Sequence, residues 1–314
     1  MLQSSSESGG AAFELEETAK ATQLPFDFLD DAHRKILERA ITRVLSTEIA
    51  EATYAQIVDG LPLSTVASES SHGVPYHGHP IWRAHQELCP GVLEKTREFG
   101  RGFRPETALT FDATNDGIVD WAPPVLDEFY WARHPDGALP TLFHHPWYVN
   151  HDQYPHGVAD MVGYWAEGRI FGGVVLFDRR ASESEDVYWH PDRQNVTYRI
   201  FKLLPEQKQA LLHFLISENP PAPAPFPILG DKNNRIRVDP EESLATTGIY
   251  RDIWERKDRA PGAPDARLRD VYIEHGLDYV SYADFMASSN RVMERMDKDL
   301  YGEDWESDGS WSST

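Results

Sequence analysis

The strongest strand-like patterning in the chain lies between residues 160 and 203. The runs DMVGYWA (160–166), RIFGGVVLF (169–177), DVYWH (186–190) and residues 196–203 are rich in β-branched and aromatic side chains. Glu167-Gly168 and the polar cluster from Pro191 to Asn195 read as turns between them. This spacing predicts four strands paired in order as an antiparallel meander. Pro205 then opens PEQKQALLHFLIS, a helix with Leu211, Leu212 and Leu215 as its apolar stripe. Proline suits the first helical position, where the missing N–H has no partner anyway. A helix laid across a sheet buries both apolar faces, so the expected fold class is α+β, with the sheet packed against several helices.

Upstream, Leu37, Ile41, Val44, Leu45, Ile49 and Ala52 recur at helical spacing. They predict one long helix, capped by Asp30 or Asp31, that runs to about Val58 and stops at Gly60 and Pro62. Shorter helices are expected over 81–88, 92–99, 125–133, 244–256, 266–275 and 282–301, and short strands over 107–111 and 235–238. Pro220 to Pro227, PPAPAPFP, reads as an extended strap. Residues 1–22 form an acidic, Ser-rich segment expected to be disordered, 23–301 a single domain, and 302–314 an acidic mobile tail.

Residues 157–179, GVADMVGYWAEGRIFGGVVLFDR, are similar to uncharacterised proteins of filamentous fungi. That resemblance implies a fungal source. It brings no activity and transfers no functional residue.

Composition narrows the function classes. The 314 residues include 30 basic and 51 acidic side chains, for a formal charge of −21. Such a surface repels phosphate backbones and anionic lipid, which argues against nucleic-acid and membrane partners. Cys89 is the only cysteine, so no intramolecular disulfide forms and a reducing, cytoplasmic setting is expected. The first ten residues lack the basic start and apolar run of a signal peptide. No apolar run is long enough to span a bilayer.

Candidate chemistry centres on FHHPWYVNHDQYPHG, which holds His144, His145, His151 and His156. His77 and His79 form a second pair. Neither set has the spacing of a known metal motif, and the HxD triplets at His134 and His190 read as Pro-Asp turns, so no metal is assigned. Asp112 to Asp120 matches the start of an EF-hand loop but meets Pro123 where a bidentate glutamate belongs. Cys89 lacks a nucleophile motif, and Gly172-Gly173, placed inside a strand, marks either a bulge or a close approach by another group.

Two functions fit. One is an intracellular enzyme acting on a small organic molecule, with His144, His145 and His151 as acid–base residues and Trp147, Tyr148 and Asp152 lining the pocket. The other is a non-catalytic binding or scaffold protein in which the same aromatic segment is structural. The sequence identifies no cofactor and no protein partner.

Overall fold

The computed structural model describes residues 29–69, 85–102, 139–180, 184–193, 196–197, 199–240 and 242–257, with Ala283, Met286, Asn290 and Met293. These residues form an α+β fold in which a five-stranded antiparallel sheet packs against helices. The helices are α1 (31–45), α2 (48–59), α3 (64–68), α4 (92–102), α5 (158–171), α6 (205–216) and α7 (244–247). The strands are β1 (174–178), β2 (187–190), β3 (200–202), β4 (237–238) and β5 (249–250), in the spatial order β4-β3-β2-β1-β5.

The last three expected strands are present and pair consecutively. Val174 faces His190, Leu176 faces Tyr188, and Trp189 faces Phe201. The first expected strand is a correction: residues 160–166 lie within α5, and so do the supposed turn at Glu167-Gly168 and the start of the second run. The reason is burial on several sides. Met161, Tyr164, Trp165, Ala166, Gly168 and Ile170 are all buried, so the segment shows no single apolar stripe. A short apolar run buried in this way does not distinguish helix from strand by its period.

The single helix expected over 31–58 is two helices. Ser46 Oγ donates to the Thr42 carbonyl at 2.7 Å, and Thr47 Oγ1 accepts from the Ala50 N–H at 3.3 Å, which ends one helix and caps the next. Short hydroxyl side chains compete for backbone partners in this way. The Asp30 cap is present, accepting from the Ala32 and His33 N–H groups at 3.0 Å each. The expected stop at Gly60 is also present, with φ +86°. Residues 244–256 are not one helix but α7, β5 and a turn. Residues 85–88 are not helical, whereas α4 and β4 fall where expected. On α6 the buried residue is Phe214, and Leu212 is exposed.

Both faces of the sheet are covered. Val174, Leu176, Tyr188, Ile200 and Ile249 pack with Tyr148, Tyr154, Met161 and Tyr164 on one face. Trp189, Phe201, Leu203 and Ile228 pack with Phe171 and Leu211 on the other. Alternate residues of β2 serve opposite faces, so a one-residue slip would exchange the two cores. The chain leaves α5 through Gly172, in the left-handed region at φ +102°. A Cβ there would collide with the Ile228 carbonyl oxygen, and one on Gly173 would lie 2.9 Å from Trp189 Cβ. The glycine pair therefore marks a close approach, at the helix-to-strand junction. The Ile228 N–H donates to the Phe171 carbonyl at 2.8 Å, so the end of the strap closes over this junction.

Gly172→Ala is expected to cost about 3 kcal/mol in urea unfolding, from left-handed strain and the backbone collision. Gly163→Ala, at an exposed helical position with nothing within 4 Å of the new Cβ, is expected to gain about 0.5–1 kcal/mol.

Candidate functional site

The segment 139–157 runs across the sheet before α5 begins. His145 is 1% exposed. Its Nδ1 accepts the Trp147 N–H at 3.3 Å, so the ring proton sits on Nε2, which donates to the His190 carbonyl at 3.2 Å. Tyr148 is fully buried; its hydroxyl lies 3.0 Å from His190 Nδ1, and its ring stacks on Tyr164 at 4.6 Å. Burial, followed by the nearby Glu255 charge, holds the Tyr148 hydroxyl well above the usual phenol range. The predicted segment thus brings His145, Trp147 and Tyr148 together around His190, with ring centroids 4.9, 5.7 and 5.5 Å from it.

The remaining predicted residues lie apart from this layer. His144 Nδ1 is 3.2 Å from the Thr141 carbonyl, and His151 is half-buried. Asp152 is exposed and pairs with Lys257 at 3.0 Å; that hydrogen bond lowers its carboxyl below the usual value. His156 lies 3.3 Å from Asp160. Among the described residues no three His, Cys, Asp or Glu side chains gather as a metal site. His77, His79, His134 and the Asp112–Asp120 loop lie outside the described residues. Cys89 is exposed, and Asp59 beside it raises its thiol pKa, the opposite of nucleophile activation.

Beneath the aromatic layer runs a charged network that no sequence motif announces. Glu167 on α5 takes two hydrogen bonds from Arg251 Nη1, at 2.8 and 2.7 Å, and one from the Val175 N–H at 2.9 Å. The Arg251 guanidinium lies 4.9 Å from the Tyr164 ring centre. Burial works against its charge, but Glu167 overcomes this and raises its pKa. Glu255 is 0% exposed, and its Oε2 accepts the N–H groups of Arg251 and Asp252 at 2.9 and 3.2 Å. Burial is the main cause that raises the Glu255 carboxyl pKa, against the opposing pull of Arg256. Arg256 reaches the Pro240 and Ile249 carbonyls at 3.2 and 3.0 Å. The Tyr154 hydroxyl donates to the Glu255 carbonyl at 2.8 Å and clamps the two segments together.

Between the clamped segments lies an open cleft of about 320 Å³. Trp147, Val149 and Leu244 are among its walls, with Asn150, Glu242, Ser243, Arg256 and Lys257 supplying polar groups. Of the predicted pocket residues, Trp147 lines this cleft; His144, His145, Tyr148, His151 and Asp152 are not among its lining residues. The Ser243 hydroxyl is engaged as the α7 cap, 2.8 Å from Thr246 Oγ1 and 3.1 Å from the Thr246 N–H. No helix among the described residues is long and apolar enough to cross a membrane.

Tyr148→Phe is expected to cost about 1–3 kcal/mol in chemical unfolding, because it removes the partner of a fully buried imidazole nitrogen. Glu255 gives a signed pH effect. Its folded pKa lies above the ordinary 4.5, so the folded chain holds the proton more tightly than the unfolded one. Its contribution is therefore lost as pH rises from about 4.5 through the raised value. Relative to the parent, Glu255→Gln should gain urea stability progressively across that window, and parallel pH profiles would refute the assignment.

Comparison of the chain with protein-family models, with curated proteins and with solved structures found no match.

Proposed function

We propose that the chain is a binding protein for a small organic molecule, taken up in the cleft beside Trp147, and that its buried histidine–tyrosine layer is a frame for that cleft. The observation that carries this reading is the state of His145. A general acid or base must exchange a proton with a substrate atom within hydrogen-bond reach. His145 is 1% exposed and spends one ring nitrogen on an amide N–H and the other on a carbonyl. Held that way, it orients Trp147 and β2. The cleft sets the apolar surfaces of Trp147, Val149 and Leu244 beside the polar groups of Asn150, Glu242, Arg256 and Lys257, so it offers a small organic molecule both kinds of contact.

One observation favours the enzyme reading. Half-buried His151 adjoins Asp152, whose partner Lys257 lines the cleft. A ligand reaching past Lys257 towards Asp152 approaches this imidazole, which carries both a proton donor and an acceptor nitrogen. The net charge of −21 supports a ligand other than nucleic acid, and the single exposed Cys89 supports a reducing, cytoplasmic setting.

A ligand-observed NMR screen with small aromatic and aliphatic organics tests the proposal. Hits are expected to weaken at least tenfold in Trp147→Ala with the fold retained, and to keep their affinity in His151→Ala. Hits indifferent to Trp147 would remove the cleft from consideration. Chemical turnover of a hit, abolished by His151→Ala, would replace the binding reading with the enzyme.

A further inference from the structure

A second cluster lies outside the cleft and its clamped network. Arg169, near the end of α5, and Arg193, in the loop after β2, both donate to Glu69 Oε2, at 2.8 and 2.9 Å. The cations are the sunken partners: the Arg169 and Arg193 side chains are 14% and 13% exposed, against 49% for Glu69. Their positions are built into the fold. Arg193 Nη2 donates to the Arg169 carbonyl at 3.0 Å, tying the loop to the helix that carries the other guanidinium. Glu69 comes from the periphery, at the end of five-residue α3, which has no buried residue.

The two guanidiniums share one hydrogen-bonded carboxylate, with Asp192 as a further negative charge nearby. Two guanidiniums converge on one carboxylate oxygen, and Arg193 Nε is buried without a hydrogen-bond partner among the described residues. Burial, and next the Arg169 charge, push the Arg193 pKa down to about 10, against the partial support of Glu69 and Asp192.

We infer that Arg169 and Arg193 form a preorganised oxyanion site in which Glu69 is the resident, exchangeable occupant, and that the phosphate or carboxylate group of a small ligand takes its place. Paired guanidiniums suit this task, because each presents a planar fork of donors to an oxyanion. Exchange is cheap on the leaving side, since a half-exposed carboxylate regains most of its hydration when it swings out. The entering group gains more if it carries two charges, as a phosphate monoester does. Glu69 then acts as a built-in competitor that sets the ligand concentration at which the site fills.

The test uses the full chain and two probes, inorganic phosphate and acetate, titrated calorimetrically at matched ionic strength. Glu69→Ala is expected to bind phosphate at least tenfold more tightly than the parent, and phosphate should restore the melting temperature that this change loses. Adding Arg193→Gln to Glu69→Ala should abolish the binding. Phosphate far ahead of acetate identifies a phosphorylated ligand, and equal binding identifies a carboxylate. If Glu69→Ala does not fold, Glu69→Gln keeps the side-chain volume and takes the same titrations. Folded Glu69 variants that bind neither anion beyond a chloride control, or binding that survives Arg193→Gln, would overturn the inference and leave Glu69 as a plain structural bridge.

Discussion

Helix α5 must be buried on several sides at once, and the rest of the fold is arranged to meet that demand. Met161 and Tyr164 enter the cluster on one face of the sheet. Trp165 and Ala166 join Phe143 in a separate cluster against Ile57 and Val66. Phe171 reaches the cluster on the far face. Each large side chain buried in this way contributes about 1.5–3 kcal/mol, so the helix couples every apolar cluster among the described residues. It also carries Glu167 and Arg169, the points where the clamped network and the oxyanion cluster attach.

The polar groups follow from that burial. Glu167 faces inward from a helix with little solvent surface, and a buried carboxylate needs a cation and hydrogen bonds. Arg251 supplies both, and the turn that delivers it also places buried Glu255 beneath its own backbone and brings Arg256 and Lys257 to the cleft. Support between helices is similar in kind. Arg43 on α1 donates to the Phe214 and Leu215 carbonyls at 3.1 and 3.0 Å, and Arg39 donates to Ile216 at 3.0 Å. These bonds satisfy carbonyls that the end of α6 leaves open. They also explain how α1, which has no buried residue, is held in place.

The chemistry expected of the histidines depends on where their ring nitrogens point. His145 is turned into main-chain hydrogen bonds, and His190, which reads in the sequence as part of a turn triplet, becomes the centre of the aromatic layer. Imidazole is as good a buried hydrogen-bonding wedge as it is a catalyst, and residue type alone does not separate the two uses. Trp147 lines the cleft while its N–H is pinned to His145 and its ring packs beside His190.

The sequence by itself determined the features whose cause is local. Asp30 and Gly60 mark helix ends because capping and left-handed φ are properties of single residues and their nearest neighbours. The meander β1-β2-β3 and the Pro205 start of α6 follow from consecutive β-branched and aromatic runs and from the proline ring. Only the tertiary structure decided the state of residues 160–171, because aromatic and β-branched residues buried on several sides carry no period that distinguishes helix from strand. It also decided β5, two residues long, which exists because β1 offers an edge to pair with. The pairing of Glu167 with Arg251, and of Glu69 with Arg169 and Arg193, joins residues far apart in the chain. Their attraction acts across a few ångströms of space, and only the folded backbone brings those charges within that distance.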